Sequence, residues 1–315
     1  MSSKHPIIAV TGSSGAGTST VRQAFSEIFR RNSIKAAFVE GDSFYRYDRD
    51  EMQRAIDTSL RAGKPISHFG PEANLFDELE KLFRDYGQTG KGKIRQFIRD
   101  EEQAALLGKN EGTFTAWQPL PKGKDLLFYE GNHGGVAAST WARRRSSPAH
   151  ALPFKDRRNE GKRARNGVDV AQWVDLLIGV VPNVNLEWIQ KIHRDCSKTG
   201  CTAEHVTAMI LRRMPDYINY ILPQFSITDI NFQRVPLVDT SNPFISRDVP
   251  TQDESVVVIH FRDPHKFDFP FLMQKIDSAF MSRPNTMVVP GGKMQHAIEV
   301  VCTPTINELM ANKTA

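Results

Sequence analysis

The chain has 315 residues, 40% of them apolar, and a formal net charge of +5. That length suits one large α/β domain or two smaller ones, and the absence of any run of 18 apolar residues argues against a membrane-spanning helix. The charge is local: residues 143–165 hold nine Lys/Arg against two acids and carry +7, which leaves the rest of the chain at −2 and argues against a general nucleic-acid surface.

In chain order, Met1-Ser2-Ser3-Lys4-His5-Pro6 runs straight into the apolar stretch Ile7-Ile8-Ala9-Val10. No signal-peptide pattern fits there, so a cytoplasmic location is expected. Gly12-Ser13-Ser14-Gly15-Ala16-Gly17-Thr18-Ser19-Thr20 follows, with P-loop spacing and Thr18 where lysine is usual. A strand, a Gly-rich turn and a helix start would aim backbone N–H groups at a phosphate, and Ser19 would offer a hydroxyl to Mg²⁺. The plain alternative is a Gly/Ser turn joining strand to helix. Val21, Phe25, Ile28 and Phe29 have helical spacing.

A second strand is predicted over Lys35–Glu40, helices over Asp50–Ala62 and Glu72–Tyr86, and a short strand over Ile94–Arg99. Buried strands are predicted at Asp125–Glu130, Val174–Val181 and Ser255–Phe261. Helices are predicted from Leu186 and, as one unit, over Thr202–Phe225. Apolar strands alternating with helices predict an α/β fold with a mixed, mostly parallel sheet flanked by helices on both faces. Ligands in such folds sit at the carboxyl ends of the strands. Residues 142–167, Arg-rich and without periodicity, read as an exposed or disordered insertion within one domain spanning 1–315. Cys196, Cys201 and Cys302 match no zinc spacing and read as thiols.

Three further clusters carry chemistry. Asp42, just past the second strand, is placed to accept a proton from a hydroxyl attacking a γ-phosphate, though a turn or N-cap Asp has the same local pattern. Arg46 and Arg49 follow it and could hold a substrate phosphate, or be ordinary exposed arginines. Glu130 ends the strand Leu126-Leu127-Phe128-Tyr129 in the form of a second Mg²⁺ motif, with Glu in place of Asp. In a helix, Lys191, Arg194 and Asp195 share a face at i, i+3, i+4. They would supply the cation missing from the P-loop, or form no more than a solvated face.

Together these stretches resemble the phosphoribulokinase family in its bacterial form. The matching segments are Val10–Thr20, Glu40–Asp42 with Arg49, Ser67-His68-Phe69 with Glu72-Ala73-Asn74, Phe128–Gly131, Val184–Asp195, Pro223–Phe232, Val238–Phe244 and Phe280–Arg283. The resemblance implies a P-loop kinase fold and phosphoryl transfer from Mg-ATP to the 1-hydroxyl of D-ribulose 5-phosphate. It implies Asp42 as general base, Asp195 as a second essential carboxylate acting through Mg²⁺ or transition-state geometry, and Lys191 and Arg194 on the transferred phosphoryl. It further implies Glu130 and Ser19 at the metal, and Tyr45, Arg49 and Lys198 at the sugar phosphate. Tyr45 stands where bacterial members commonly carry His, and Thr199 stands where they carry Arg. Homo-oligomers activated by NADH and inhibited by AMP are implied, with Arg31 and Arg283 matching the regulatory arginines and His260 replacing a third. Two alternatives stay open: a uridine- or pantothenate-type kinase of the same fold, which would not account for residues 185–195, and a non-catalytic nucleotide-binding protein.

Overall fold

A computed structural model describes residues 4–12, 18–137, 168–246 and 248–313. Its strands are β1 (Ile7–Gly12), β2 (Ala36–Glu40), β3 (Lys93–Ile94), β4 (Gln118–Pro119), β5 (Leu126–Gly131), β6 (Leu176–Val181), β7 (Ile230–Pro236), β8 (Ser255–Phe261), β9 (Phe280–Arg283) and β10 (Thr286–Pro290). Its α-helices are α1 (Thr18–Arg31), α2 (Arg49–Arg61), α3 (Phe76–Thr89), α4 (Glu101–Leu107), α5 (Val184–Thr199), α6 (Ala203–Asp216), α7 (Phe269–Lys275) and α8 (Met294–Ala311).

Among the described residues one sheet has the order β2-β5-β1-β6-β7-β8-β10-β9, while β3 and β4 form a separate pair. From β2 to β7 every neighbour is parallel, and from β7 to β9 every neighbour is antiparallel. The central strand β1 is buried on both faces, which is why its sequence is a continuous apolar run. Ile8 and Val10 point into the core with Val21, Phe25 and Ile28 of α1 and Ile298 of α8. Ile7 and Ala9 point the other way, toward Leu79, Phe83 and Tyr86 of α3. Each large buried apolar side chain contributes about 1.5–3 kcal/mol relative to leaving it exposed.

The mostly parallel, helix-flanked sheet agrees with the sequence expectation, and four local readings are corrected. Of residues 94–99 only Ile94 belongs to the two-residue β3, and the rest enter an irregular arm, held by Ile98 N donating to Thr113 O at 2.9 Å and Thr115 N to Gln96 O at 2.9 Å. The helix expected from Glu72 starts at Phe76, because Pro71–Ala73 turns as a short 3₁₀ segment first. The long helix over Thr202–Phe225 breaks near Pro215, which lacks an N–H, into a wide π-type turn at Tyr217–Ile221 and a 3₁₀ segment at Leu222–Ser226. Ile218, in this wide turn, is 40% exposed. Finally, β4, β7, β9, β10, α4, α7 and α8 went unread. Along β7 polar residues interrupt the apolar ones, and α8 is buried on several faces, so it shows no single apolar stripe.

Candidate active site

At the carboxyl ends of β1, β2 and β5 lies a cleft of about 1150 Å³. Two helices face each other across it, each offering one stripe of side chains: Arg49, Met52, Gln53, Ile56 and Leu60 from α2, and His205, Ala208, Met209, Arg212 and Arg213 from α6. α2 starts at a full capping box, in which Asp48 accepts from Glu51 N at 2.7 Å and Glu51 accepts from Asp48 N at 3.0 Å.

The floor is acidic. Glu40 ends β2, Asp42 sits in the 3₁₀ turn after it (Gly41–Phe44), and Glu130 lies near the end of β5, in register with Glu40 and Val10. That turn is pressed onto the β5 end: a Cβ on Gly41 would lie 2.8 Å from Gly131 Cα and 2.7 Å from the Tyr129 hydroxyl. Arginines hold two of the carboxylates. Arg99 Nε donates to Asp42 Oδ2 at 3.0 Å, and its Nη2 lies 2.9 Å from the same oxygen and 3.2 Å from Glu40 Oε2. Arg22 donates to the other oxygen of Glu40. Burial, the Asp42 charge and a hydrogen bond to Asp42 hold the Tyr45 hydroxyl protonated, well above its ordinary pKa.

The α6 side is basic. Arg212 and Arg213 each have a buried Nε without a hydrogen-bond partner, and neither forms an ion pair among the described residues. Burial, then Arg212, pulls the Arg213 pKa down. On α5 the predicted face is real: Lys191 Nζ lies 2.5 Å from Asp195 Oδ2, and Arg194 Nε lies 3.0 Å from Asp195 Oδ1. Burial raises the Asp195 pKa, but Lys191 and Arg194 outweigh it and the net shift is downward. The Lys191 pKa is lowered by burial and by Arg213 and Arg194. His68, opposite these cations, is pushed down to about 3 by burial and then by Arg213, Arg212 and Lys191.

The structure therefore brings Asp42, Tyr45, Arg49 and Glu130 into one cleft, beside Gly12. Lys191, Arg194 and Asp195 form a second cluster, joined electrostatically to the first through Arg213, which feels both Tyr45 and Asp195. Arg49 is already engaged, with Glu111 Oε1 at 2.5 Å and the Arg99 carbonyl at 3.3 Å. Arg46 is no phosphate ligand here: its guanidinium is spent on the carbonyls of Glu72 and Asn74. Thr20 lies beside a small separate cavity with Asn183, Glu187 and Arg234. Ser13, Ser14, Gly15, Ala16 and Gly17, the side chains of Thr18, Ser19, Lys198 and Thr199, and the basic segment 142–167 lie outside the described residues. Of the regulatory candidates, His260 and Arg283 both pair with Thr286 across β10, whereas Arg31 bonds Glu27 and Glu299 at the end of α1.

Sequence reading missed Arg99, Arg212 and Arg213, and it missed Gln224. This fully buried amide accepts from Thr11 Oγ1 and from Gly135 N, both at 2.9 Å. It donates to the Asn132 and Tyr220 carbonyls, both at 2.8 Å. One side chain thus ties the end of β1 to the loop after β5 and to α6's wide turn. No local pattern marks such a residue; only the pairing of distant segments does.

The donors suit Mg²⁺. Glu130 is a hard carboxylate at the phosphate-loop end of the cleft, and Mg²⁺ commonly takes one or two carboxylates together with substrate phosphates. Among the described residues no cluster of three His, Cys, Asp or Glu side chains would cage a metal by protein ligands alone.

A sequence model described as the phosphoribulokinase / uridine kinase family matches residues 7–143 and 158–241. A phosphoribulokinase of Nitrobacter vulgaris is 52% identical over 98% of this chain and 98% of its own. The chromosomal phosphoribulokinase of Cupriavidus necator is 52% identical over 99% of this chain and 98% of its own. A solved structure titled phosphoribulokinase from Rhodobacter spheroides superposes with a TM-score of 0.84 at 47% identity, covering all of both chains.

Proposed function

Since the chain belongs to the phosphoribulokinase / uridine kinase family, we propose that it is a phosphoribulokinase, transferring the γ-phosphoryl of Mg-ATP to the 1-hydroxyl of D-ribulose 5-phosphate and so serving Calvin-cycle carbon fixation. The observation that carries this reading is the division of the cleft into a carboxylate floor at the phosphate-loop end and, opposite, an arginine wall that forms no ion pair among the described residues. The reaction needs both: a base and metal ligand at one end, and an anchor for a sugar phosphate at the other.

In this reading residues 12–20 cradle the ATP phosphates, with Ser19 and Glu130 as the protein's Mg²⁺ ligands and the metal offsetting phosphate charge. Asp42 accepts the proton of the attacking hydroxyl. Lys191 and Arg194 stabilise charge on the transferred group, and Asp195 orients both through its two oxygens. Tyr45, Arg49 and Lys198 contact the sugar phosphate, and Arg212 and Arg213 join them, each with a buried Nε that has no hydrogen-bond partner among the described residues. We assign the whole chain to one cytoplasmic, homo-oligomeric kinase domain. NADH activation and AMP inhibition would act through Arg31, His260 and Arg283. No helix among the described residues is long and apolar enough to cross a membrane.

The test is ADP release by the purified protein with D-ribulose 5-phosphate, uridine or pantothenate as acceptor, beside Asp42→Asn. Turnover is expected with the sugar phosphate alone, and the variant should lose about 10²–10⁴-fold in kcat. Turnover with uridine or pantothenate instead would overturn the assignment.

A further inference from the structure

We infer that Arg99 is a positioning residue for the base, setting the orientation of the Asp42 carboxylate from an arm of the chain remote in sequence. The inference rests on the reading of Asp42 as general base. Two nitrogens of Arg99 converge on one oxygen, Asp42 Oδ2, at 3.0 and 2.9 Å, which leaves Oδ1 free of this fork. The same guanidinium reaches Glu40 Oε2 at 3.2 Å, and Arg22 grips the other Glu40 oxygen, so the fork is itself anchored. Asp42 also takes a hydrogen bond from the Tyr45 hydroxyl, so the Arg99 fork and Tyr45 together fix the direction of the carboxylate, which is what proton transfer from a bound hydroxyl requires.

The arm that delivers Arg99 is built to stay in place. Arg95, four residues earlier, donates from Nε to Ser43 O at 3.0 Å, inside the Asp42 turn, and from Nη2 to Tyr45 O, just after it. Its guanidinium is stacked 3.6 Å from the centre of the Phe114 ring. Phe97 packs on Phe114 with centroids 5.2 Å apart, and Ile98 is fully buried. Arm and turn are therefore stitched at two points, Arg95 to backbone and Arg99 to carboxylate.

Stability is not what Arg99 supplies. Its side chain is 44% exposed, and ion pairs of that kind contribute little to folding. Arg99→Leu should therefore fold, and its effect should fall on the chemical step.

The experiment measures kcat and both KM values for Arg99→Leu, Arg99→Lys, Asp42→Asn and the Asp42→Asn/Arg99→Leu double variant, with melting temperatures as the folding control. Arg99→Leu is expected to lose about 10²-fold in kcat, with each KM within about threefold of wild type. Arg99→Lys should recover part of the loss, since it restores the charge but not the fork. In the Asp42→Asn background Arg99→Leu should cost nothing further, because a residue acting through Asp42 has nothing left to act on. A raised sugar-phosphate KM at unchanged kcat, or the same loss with and without Asp42, would overturn the inference. Full activity in Asp42→Asn alone would instead remove the base reading beneath it.

Discussion

The two sides of the cleft are built on opposite principles. On the floor, Glu40 and Asp42 are matched by Arg22 and Arg99, and the backbone beneath is fastened by Gln224. On the α6 side, Arg212 and Arg213 each turn inward a buried Nε that has no hydrogen-bond partner, and neither forms an ion pair among the described residues, although the Asp195 charge reaches Arg213. A buried cation without a partner costs stability, so it persists where an arriving anion will compensate it. The difference teaches which half is finished before substrate arrives: the floor is preorganised, and in the proposed function the basic wall is the half left for the substrate's phosphate to complete.

The largest effect should come from breaking the finished side. Gln224→Leu removes four hydrogen bonds and leaves Gly135 N and the Tyr220 carbonyl without their side-chain partner in a buried site. At about 1–3 kcal/mol for each orphaned group, a loss of about 3 kcal/mol is expected in urea unfolding. Activity of the folded fraction should fall as well, since Thr11 and Asn132 border the phosphate loop and the cleft. A change below about 1 kcal/mol would mean the floor does not depend on this amide.

The open side should answer differently. Arg213→Met removes a desolvated cation, so the substrate-free protein should gain about 1 kcal/mol in stability. The same change should raise the sugar-phosphate KM about 10–100-fold, the worth of a charge-assisted hydrogen bond of about 1.5–3 kcal/mol, while the ATP KM moves little. Inorganic phosphate should raise the melting temperature of the wild type but not of the variant. If Arg213→Met lost stability instead, the wall would be complete without a ligand, and the contrast between the two sides would fail.

Legibility in the sequence followed the same divide. The floor is assembled at strand ends, and strand ends announce themselves: an apolar run stopping at Glu130, another stopping just before Asp42, and a glycine-rich turn after Val10. The α5 face was legible because helical spacing alone brings Lys191, Arg194 and Asp195 together. Arg99 was not, because it reaches Asp42 across 57 residues from an irregular arm with no periodicity to read. Arg212 and Arg213 look like ordinary helix-surface arginines until α6 is placed across from α2. Gln224 entered only as part of a matching stretch, and its four bonds depend on three segments far apart in sequence. The antiparallel strands β9 and β10 were missed because strands this short give little alternation to count.

Acid sharpens the contrast further, because each side carries one histidine held neutral. His133 is sealed behind the floor against Phe76, and burial pushes it down to about 3. His68 is also near 3, by burial first and then by Arg213, Arg212 and Lys191. Below the ordinary value of 6.5 the unfolded chain takes protons on both rings, whereas the folded chain refuses them down to about pH 3. Stability is therefore full above pH 6.5 and falls as pH drops through that window, by up to about 1.4 kcal/mol per pH unit for each histidine. Urea titrations between pH 6.5 and 5, above the carboxylate range, should show that slope, and His133→Leu should remove about half of it. Arg213→Met should lift the His68 pKa and leave His133 where it is, a separation that ring-proton NMR would resolve. A His68 ring that stays where it is would mean that burial, not the arginine wall, sets the charge state on both sides of the cleft.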